Sequence, residues 1–389
     1  MDGASGWPLP SHNGHTCLEL AYKPHLDSLT RRGVLGLART VPEGMEPSSA
    51  CACLSIMGYD PKKYYSGRGA IEARSLGISL KDSEVAFRCN LVAIRDGKMY
   101  SYSSGQISDQ ESHPMIVALQ QSLGSDTIRF YPGVGYRHIC VIKDHPDVIQ
   151  AICTPPHDIT NKPVAKFLPR GKGSQLLKKL MSRSENVLKD HPVNSARRNR
   201  GDTPATMIWL FWGSKKAPDL PSFQQVHGLK AGLSSAVDLL RGLAQMASID
   251  IINIQGVTAG LDNDYAAQAE GTLKALQHHD IVILHIEAPD EAGHAGSIEE
   301  KVKAIEQIDQ QVIGRFLSRR DLRLLIMPDH PTPIEIQTHV PEPVPFLLWG
   351  PDFTGNSATA FSETEAKNKL FVEQGHTLMG KLVSGRITT

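Results

Sequence analysis

Apolar and polar residues follow two different periods along the C-terminal half of the chain. Amphipathic stretches with helical spacing are separated by short, nearly continuous apolar runs, which are typical of buried strands. The pattern predicts helices at 232–247, 265–279 and 297–317, and strands at 249–256, 280–290, 322–330 and 344–351. Ser297, followed three residues later by Glu300, begins the third helix with a capping-box pattern. This alternation predicts βαβ units, and therefore an α/β fold with a mainly parallel sheet.

The middle of the chain follows another pattern. Residues 71–217 contain shorter apolar runs, such as "EVAFRCNLVAI" and "YRHICVIKD", separated by turn-rich stretches such as "CTPPHDITNKPV". We therefore expect a smaller α+β domain at 71–217, inserted into a core domain formed by 1–70 and 218–389. Residues 162–200 hold eleven Lys or Arg against two Asp or Glu. That charge fits either a solvated helix face or a clamp for phosphate and carboxylate groups.

Composition and charge argue against several classes of protein. The 389 residues are 40 % hydrophobic and 21 % charged, and 41 Lys and Arg balance 41 Asp and Glu. This balance argues against nucleic acid or an anionic membrane as the main partner, and no apolar run reaches the roughly 20 residues that span a bilayer. The N-terminal "MDGASGWPLP" lacks the pattern of a secretory signal. Six cysteines without a CxxC pair are typical of a reduced, cytoplasmic protein.

Acids and histidines collect at the predicted strand ends. "HIEAPDEAGHAG" (285–296) places three acids and two histidines in twelve residues. Ligands of parallel sheets bind at the carboxyl ends of the strands, so these side chains are expected to converge. A mixed carboxylate and imidazole set suits Mn²⁺ or Zn²⁺, whereas a solvated loop with a helix cap is the simpler alternative. The strand-end donors are Asp2, Asp290, His294, Asp329, His330 and His339.

A site of this kind that transfers phosphoryl groups also needs a nucleophile. "PEGMEPSSACACLSIMGYDP" offers Ser48 and Ser49 in a Pro- and Gly-rich turn before a predicted helix. The helix N-terminus would stabilise a phosphate placed there. The alternative is that the Ser-Ser pair only caps the helix.

Five blocks of the sequence resemble blocks of the cofactor-independent (2,3-bisphosphoglycerate-independent) phosphoglycerate mutases, in particular the shorter archaeal-type branch. The blocks are "LSIMGYDPKKYYSGRGAIEA", "VAFRCN", "TPPHDIT", "APDEAGHAGSIEEKVKAIEQID" and "MPDHPTPIEIQTHVPEPVPFLLWGP". The resemblance covers nearly the whole chain, and the combination of blocks is highly specific. It implies an alkaline-phosphatase-like α/β core, with a mainly parallel sheet flanked by helices and an inserted α+β domain. It also implies interconversion of 2-phosphoglycerate and 3-phosphoglycerate in glycolysis and gluconeogenesis.

The resemblance assigns roles to individual residues. One divalent ion would be held by Asp290, His294 and His339, and the other by Asp2, Ser49, Asp329 and His330. The ions would be Mn²⁺ or Zn²⁺, with Mg²⁺ or Co²⁺ also compatible. Ser49 rather than Ser48 would become phosphoserine, because it stands nine residues before Gly58 of "GYDP", as the family's serine does.

The inserted domain would bind the glycerate while the phosphoryl group is on the serine. Basic side chains suit a substrate that carries a carboxylate and a phosphate. The expected partner is this small molecule, with no nucleic acid and no membrane, and the sequence leaves open whether the chain forms a homo-oligomer. The expected substrate-binding residues are Arg137, His138, His157, Asp158, Arg197 and Lys230.

The sequence departs from the family at several positions. Asp2 is the second residue, where family members carry an apolar strand before this aspartate. We therefore expect Met1–Asp2 to lie beside a gap in the sheet near Asp329, and a Val/Ile-rich strand of about five to ten residues upstream in the native protein. Ala50, Cys53 and Gln106 also differ from the residues found in many relatives, which affects the details of substrate binding.

Two alternative functions follow from the same residues. One is another enzyme of the alkaline phosphatase superfamily, such as a phosphatase, a phosphonate-processing enzyme or a kinase-like relative acting on homoserine, because one fold hosts several chemistries. The other is an inactive metal-binding or partner-binding homologue. Turnover of 3-phosphoglycerate and metal content after dialysis distinguish them.

Overall fold

The computed structural model describes residues 1–216 and 218–387. Its strands are β1 (Val34–Ala38), β2 (Glu84–Arg95), β3 (Lys98–Ser101), β4 (Ile128–Tyr131), β5 (Arg137–Lys143), β6 (Met207–Lys215), β7 (Ala231–Ser234), β8 (Asp250–Ile251), β9 (Ile281–Leu284), β10 (Leu324–Ile326), β11 (Val344–Trp349) and β12 (Leu370–Val372).

The α-helices are α1 (Cys17–Leu20), α2 (Pro24–Thr30), α3 (Ser49–Ile56), α4 (Pro61–Tyr64), α5 (Arg68–Ser75), α6 (Asp109–Leu123), α7 (Ser174–Lys189), α8 (Pro192–Arg200), α9 (Phe223–His227), α10 (Asp238–Met246), α11 (Tyr265–Ala275), α12 (Ala288–Ala295), α13 (Ile298–Gln307), α14 (Gly314–Phe316), α15 (Glu363–Ala366) and α16 (Thr377–Ser384). Short 3-10 helices lie at Pro10–His12, Pro146–Gln150, Pro156–Ile159 and Val164–Phe167, and a π-helical turn at Ile308–Ile313. Within the described residues, no helix is both long and apolar enough to cross a membrane.

The chain divides into two compact units. The core unit comprises residues 1–65 and 219–389, and the inserted unit comprises residues 66–218. Each unit has its own sheets and its own buried apolar cluster.

Two sheets form the centre of the core unit. β7 lies between β8 and β9 and is parallel to both, because helices α10 and α11 return the chain to the same edge. The second sheet has the order β10-β11-β1-β12 and is mixed. β11 is antiparallel to β10 and to β1, whereas β12 is parallel to β1. The expectation of one mainly parallel sheet is therefore wrong for β11, since residues 327–343 contain no helix that could carry the chain back for a parallel pairing.

The element predictions differ from the structure in two helices and in strand lengths, since β8, β9 and β10 are shorter than the strands expected at 249–256, 280–290 and 322–330. The helix expected at 232–247 begins only at Asp238, because residues 231–234 form the buried strand β7. The helix expected at 297–317 begins as predicted, with the Ser297 side chain accepting the N–H of Glu300. It continues through a π-helical turn into α14 rather than as one uniform α-helix. Apolar periodicity locates both segments but does not separate a short buried strand from the helix that follows it.

A cavity of about 590 Å³ lies between β9 and β10. Each of these strands is at the edge of its sheet among the described strands, and both line the cavity together with apolar side chains of α14 and α16 and of the π-helical turn. The ammonium group of Met1 donates to the carbonyl of Met327 at 3.2 Å, and the N–H of Asp2 donates to the carbonyl of Ile286 at 2.8 Å. The expectation that Met1–Asp2 lies beside a gap near Asp329 is confirmed, because Gly3 N–H donates to Asp329 Oδ1 at 3.0 Å.

The inserted unit contains one antiparallel sheet. Its strand order is β3-β2-β5-β4, and β6 also pairs with β2. Helix α7 buries Leu177, Leu180, Met181 and Leu188 against this sheet and presents basic residues on its other side. The basic stretch is thus in part the solvated face of an amphipathic helix.

Candidate metal centre

Two ligand candidates come from the turn after β9. The chain leaves the strand at His285 and enters α12 at Ala288, so that Asp290 and His294 lie one helical turn apart on the same face. Gly293 allows the helix to approach the 329–332 loop, since a Cβ at this position would lie 2.9 Å from Thr332 Cγ2. Thr332 in turn donates its hydroxyl to Asp290 Oδ1.

The other candidates lie in the loop between β10 and β11. Asp329 and His330 follow the end of β10, and both are buried. His339 returns to the same place nine residues later. The lack of a crossover helix in this loop, which makes β11 antiparallel, therefore also brings a third imidazole to the strand end.

The first group consists of Asp290, His294 and His339. His294 Nε2 lies 3.1 Å from Asp290 Oδ2 and 2.9 Å from His339 Nε2, and His339 Nε2 lies 3.6 Å from Asp290 Oδ1. The carbonyl of Gln337, 2.9 Å from His294 Nδ1, can accept a hydrogen bond from that nitrogen, so that Nε2 is the nitrogen available to a metal ion. Three atoms that can bind a metal ion thus converge on one point, and they come from two separate segments, α12 and the loop after β10.

The second group consists of Asp2, Asp329 and His330, with Ser49 next to it. His330 Nε2 lies 3.4 Å from Asp2 Oδ1, 3.2 Å from Asp329 Oδ2 and 3.1 Å from the hydroxyl of Ser49. These donor atoms are close enough together to hold one metal ion, and His330 also lies within reach of Asp290 and His339. The structure therefore brings together all seven residues that the sequence predicted as ligands.

Burial and neighbouring charges shift the pKa values of these groups. Burial raises the pKa of Asp2 well above its usual range, and the charges of Asp329 and Asp290 raise it further. Burial also opposes ionisation of Asp290, but hydrogen bonds and charges from His294 and His339 outweigh it and hold that pKa well below its usual range. Burial lowers the pKa of His330 to about 4, so its imidazole is neutral at pH 7 and can act as a ligand.

One buried atom shows that this site suits a divalent cation. Asp2 is fully buried, and its Oδ1 atom has no hydrogen-bond partner in the described part of the chain. An unsatisfied buried carboxylate oxygen costs free energy unless a cation or a donor meets it. Because Oδ1 points to the neutral Nε2 of His330, a divalent ion coordinated by both would satisfy it.

Gly3 is needed for the close packing of this centre. Its φ is +56°, and a Cβ at this position would lie 2.3 Å from Asp290 Oδ1. Glycine therefore lets the backbone after Asp2 pass directly over the Asp290 carboxylate, while its N–H binds Asp329.

The two serines have different surroundings. Ser48 is the N-cap of α3, and its hydroxyl accepts the N–H of Cys51 at 3.3 Å. Ser49 is the first residue of the helix and directs its hydroxyl to His330 instead. Cys53, one turn after Ser49, lies on the same side, with its Sγ 3.7 Å from Asp329 Oδ2.

Sequence reasoning missed His285 and Glu287. Together with Asp2 they form a further group that could hold a cation, and His285 Nε2 lies 2.6 Å from Asp2 Oδ2. The signal was present in "HIEAPD", because residues two apart in an extended segment point to the same side. Both residues lie inside the strand predicted at 280–290 rather than at its end.

The predicted substrate-binding residues of the inserted unit have diverse positions. Arg137 is exposed at the start of β5, and its guanidinium lies 4.6 Å from the ring centroid of Tyr136. His157 and Asp158 are exposed in a 3-10 helix. His138 is buried, and Nδ1 accepts the N–H of Gly133. Arg197 is also buried and donates to Glu111 and to the carbonyls of Ser104 and Thr203.

Lys230 lies in the core unit, away from the metal ligands. It precedes β7, whereas His285 follows β9, and these two strands are parallel with Ala231 opposite Ile281. Lys230 is therefore at the amino edge of this sheet and the ligands are at its carboxyl edge. Its Nζ lies 3.5 Å from Asp250 Oδ2.

The fold and the site together define a mixed α/β protein with a histidine- and carboxylate-rich centre at its strand ends. A family model described as 2,3-bisphosphoglycerate-independent phosphoglycerate mutase matches residues 30–194. The protein of that name from Methanothrix thermoacetophila is 45 % identical over 390 residues, which cover 99 % of this chain and 98 % of that protein. This chain therefore belongs to the 2,3-bisphosphoglycerate-independent phosphoglycerate mutase family, as the sequence blocks predicted.

Solved structures show the same fold. The PH0037 protein from Pyrococcus horikoshii superimposes with a TM-score of 0.80 at 26 % identity, over 100 % of this chain and 97 % of that chain. A cofactor-independent phosphoglycerate mutase from Thermoplasma acidophilum gives a TM-score of 0.63 at 22 % identity, over 99 % and 97 % of the two chains. The second similarity concerns the fold alone. The mixed α/β class expected from the sequence is confirmed.

Proposed function

We propose that this chain interconverts 2-phosphoglycerate and 3-phosphoglycerate through a phosphoserine at Ser49. Family membership gives the substrate and the reaction. The observation that carries the residue assignment is the Ser49 hydroxyl, 3.1 Å from His330 Nε2 at the first position of α3. This placement puts a nucleophile at a helix N-terminus and beside the buried ligand groups.

The two groups of ligands would hold two divalent ions. Asp290, His294 and His339 would bind one, and Asp2, Asp329, His330 and Ser49 the other. Carboxylates and imidazoles together favour Mn²⁺ or Zn²⁺, and Mg²⁺ or Co²⁺ also fit the carboxylate-rich second group. When bound, such ions make the serine hydroxyl a stronger nucleophile and neutralise charge on the phosphoryl group.

The reaction then consists of two exchanges of one phosphoryl group. Ser49 Oγ loses its proton and forms a bond to phosphorus as the bond to the glycerate oxygen breaks, and the departing glycerate oxygen takes up a proton. The other hydroxyl of the glycerate next loses its proton and attacks the phosphoserine, and the released Ser49 oxygen takes up a proton. No second phosphate donor is consumed, which agrees with the family's independence of 2,3-bisphosphoglycerate.

We further propose that the core unit has the alkaline-phosphatase-like arrangement and that the inserted unit binds the glycerate carboxylate. Arg137, His157 and Asp158 support the second proposal, because they are exposed polar groups of the inserted unit. Arg197, His138 and Lys230 support it less, since the first two are buried in local hydrogen bonds and the third is at the opposite strand edge. The comparisons do not favour the alternatives of another phosphatase-like enzyme or an inactive homologue.

Replacing the serines one at a time tests the nucleophile. Ser49→Ala should abolish turnover of 3-phosphoglycerate, because the covalent step has no substitute, whereas Ser48→Ala should retain most activity and lose about 1 kcal/mol of stability with the helix cap. Coupled-enzyme turnover and mass spectrometry after brief exposure to substrate are the measurements. Phosphorylation found only at Ser48, or full activity of Ser49→Ala, would contradict the assignment.

A further inference from the structure

The imidazole of His285 lies between Asp2 and the interior of the sheet. Its main-chain N–H donates to Ser234 O at 3.0 Å, and its carbonyl accepts from Gln268 Nε2 at 2.9 Å. The side chain is also buried, with Nδ1 3.0 Å from Ser235 Oγ and Nε2 2.6 Å from Asp2 Oδ2. Backbone and ring are therefore both fixed.

The hydrogen bonds of Ser235 are compatible with a proton on the ring nitrogen of His285 that faces Asp2. Ser235 Oγ accepts the N–H of Val237 at 3.0 Å, so its own hydroxyl proton is free to be donated to His285 Nδ1. With Nδ1 as acceptor, the ring proton is on Nε2 and is donated to Asp2 Oδ2. In this network each group donates a hydrogen bond to the next: the Val237 N–H to Ser235, Ser235 to His285, and His285 to the carboxylate of Asp2.

The two carboxylate oxygens of Asp2 therefore have different surroundings. Oδ2 is held by His285, whereas Oδ1 is buried without a hydrogen-bond partner in the described chain and lies 3.4 Å from His330 Nε2. A rotation of the carboxylate about its bond to Cβ would break the contact with His285. The histidine thus fixes the direction in which Oδ1 points.

Glu287 adds a second carboxylate to the same imidazole. Its Oε2 atom lies 3.4 Å from His285 Nε2 and is buried without a hydrogen-bond partner among the described residues. Glu287 thus places a second carboxyl oxygen beside the Nε2 atom that faces Asp2. The group resembles the arrangements in which an outer hydrogen-bond partner orients a metal ligand.

We propose that His285 is a positioning residue for Asp2 and that it sets the affinity of the second metal site of the proposed centre. The inference rests on the proposed function, because it assumes that Asp2 Oδ1 is a ligand. Asp2 is held by its main-chain N–H, which donates to the carbonyl of Ile286, and its carboxylate contacts both His285 and His330. Loss of an outer partner of a ligand typically lowers metal affinity about 10- to 100-fold.

Two conservative replacements test this proposal. In His285→Gln, the side-chain amide nitrogen can reach the position of Nε2 and donate to Asp2. In His285→Asn, the shorter amide can still meet Ser235 but cannot reach Asp2. The matched control is His279→Asn, because His279 Nε2 also binds a carboxylate, Asp250, at 3.1 Å, on the far edge of the same sheet.

Binding of Mn²⁺ to the dialysed full-length chain is measured by calorimetry, and retained metal is measured by elemental analysis. The wild type and His279→Asn should bind two ions alike. His285→Asn should bind one ion about 10- to 100-fold more weakly and leave the other unchanged, and His285→Gln should stay close to the wild type.

The outcomes separate this inference from the proposed function. If the wild type binds fewer than two ions, the proposed centre is wrong and the inference fails with it. If the wild type binds two ions and both His285 variants match it, or both weaken equally, only the positioning role is wrong. Should His285→Asn fail to fold by circular dichroism, His285→Gln decides, since a large loss of affinity in that variant overturns the proposal.

Discussion

At the scale of single residues, the site depends on atoms that touch each other across long sequence separations. Asp2 meets His285 and His330, and Gly3 lies over Asp290. Such contacts tolerate little change in volume, because both the backbone and the charged groups are buried and already close. A small substitution here should therefore act on the metal centre before it acts on the fold as a whole.

Gly3→Ala is the sharpest residue-scale test. The added Cβ would lie 2.3 Å from Asp290 Oδ1, and the positive φ of 56° is unfavourable for alanine. We expect weaker metal binding and a loss of turnover of at least tenfold. The control is Gly14→Ala, because Gly14 also has a positive φ but has open space around its Cβ position. Equal metal affinity of the two variants, measured by Mn²⁺ titration, would show that the packing over Asp290 is not required.

The residues of the site could be predicted to different extents from the sequence. Asp290, His294, Asp329, His330 and His339 follow apolar strands, so their convergence was predictable from strand ends. Ser49 could be distinguished from Ser48 only by resemblance, since both precede the same helix. Glu287 and His285 escaped notice because their role depends on Asp2, 283 residues away from His285. The alternation in "HIEAPD" places the two side chains on one side of the segment, but it does not indicate that Asp2 is their partner.

At the scale of elements, the connections between strands determine whether neighbouring strands are parallel or antiparallel. Helices α10 and α11 make β7, β8 and β9 parallel, and the ligand loop after β10 makes β11 antiparallel. The alternating apolar pattern predicted the existence of these strands but not the direction of β11, because direction depends on whether the connection contains a crossover element. The strand β7 overlaps the helix predicted at 232–247, because four buried residues are too few to show whether their period is that of a strand or of a helix.

We expect the protein to become more stable when an added strand fills the cavity between β9 and β10. An engineered extension of about five apolar β-branched residues before Met1 should pair with both strand edges and fill the 590 Å³. Each side chain that becomes buried contributes roughly 1.5–3 kcal/mol, so the thermal midpoint should rise by several degrees. The control is an extension of equal length made of Ser and Lys. A thermal melt in which both extensions leave the midpoint unchanged would contradict the idea that the cavity accepts a strand.

β5 contains a group whose titration should govern the acid stability of the inserted unit. Burial lowers the pKa of His138 to about 3, and its Nδ1 accepts the Gly133 N–H only while unprotonated. An unfolded histidine titrates near 6.5, so between about pH 6.5 and 3 the unfolded chain binds more protons, and stability falls as the pH decreases through this window. His138→Leu should be less stable at pH 7 but should lose less on going to pH 5.

Amide hydrogen exchange of β5 at pH 7 and pH 5, corrected for intrinsic rates, measures this effect. The control is His145→Leu, because His145 is exposed in the same unit and its replacement should keep the wild-type pH dependence. An unchanged pH dependence in His138→Leu would show that another group controls acid stability.

At the scale of the whole molecule, two units share one chain, and the buried ligand cluster belongs to the core unit alone. Its residues come from the first three positions, from α3, from the turn after β9 and from the loop after β10. The order of these segments along the chain agrees with the family blocks, whereas the assignment of substrate contacts to the inserted unit stays a prediction. The proposed function requires both a metal-dependent reaction and a substrate that carries a carboxylate.

Turnover of 3-phosphoglycerate in the absence of 2,3-bisphosphoglycerate tests this account most directly. The protein is stripped of metal with a chelator and then supplied with Mn²⁺, while 2-phosphoglycerate and free phosphate are measured together. We predict that 2-phosphoglycerate forms only in the reconstituted sample and that phosphate release is negligible beside it. Conversion that is unaffected by complete metal removal, or release of phosphate without 2-phosphoglycerate, would contradict the proposed metal-dependent mutase.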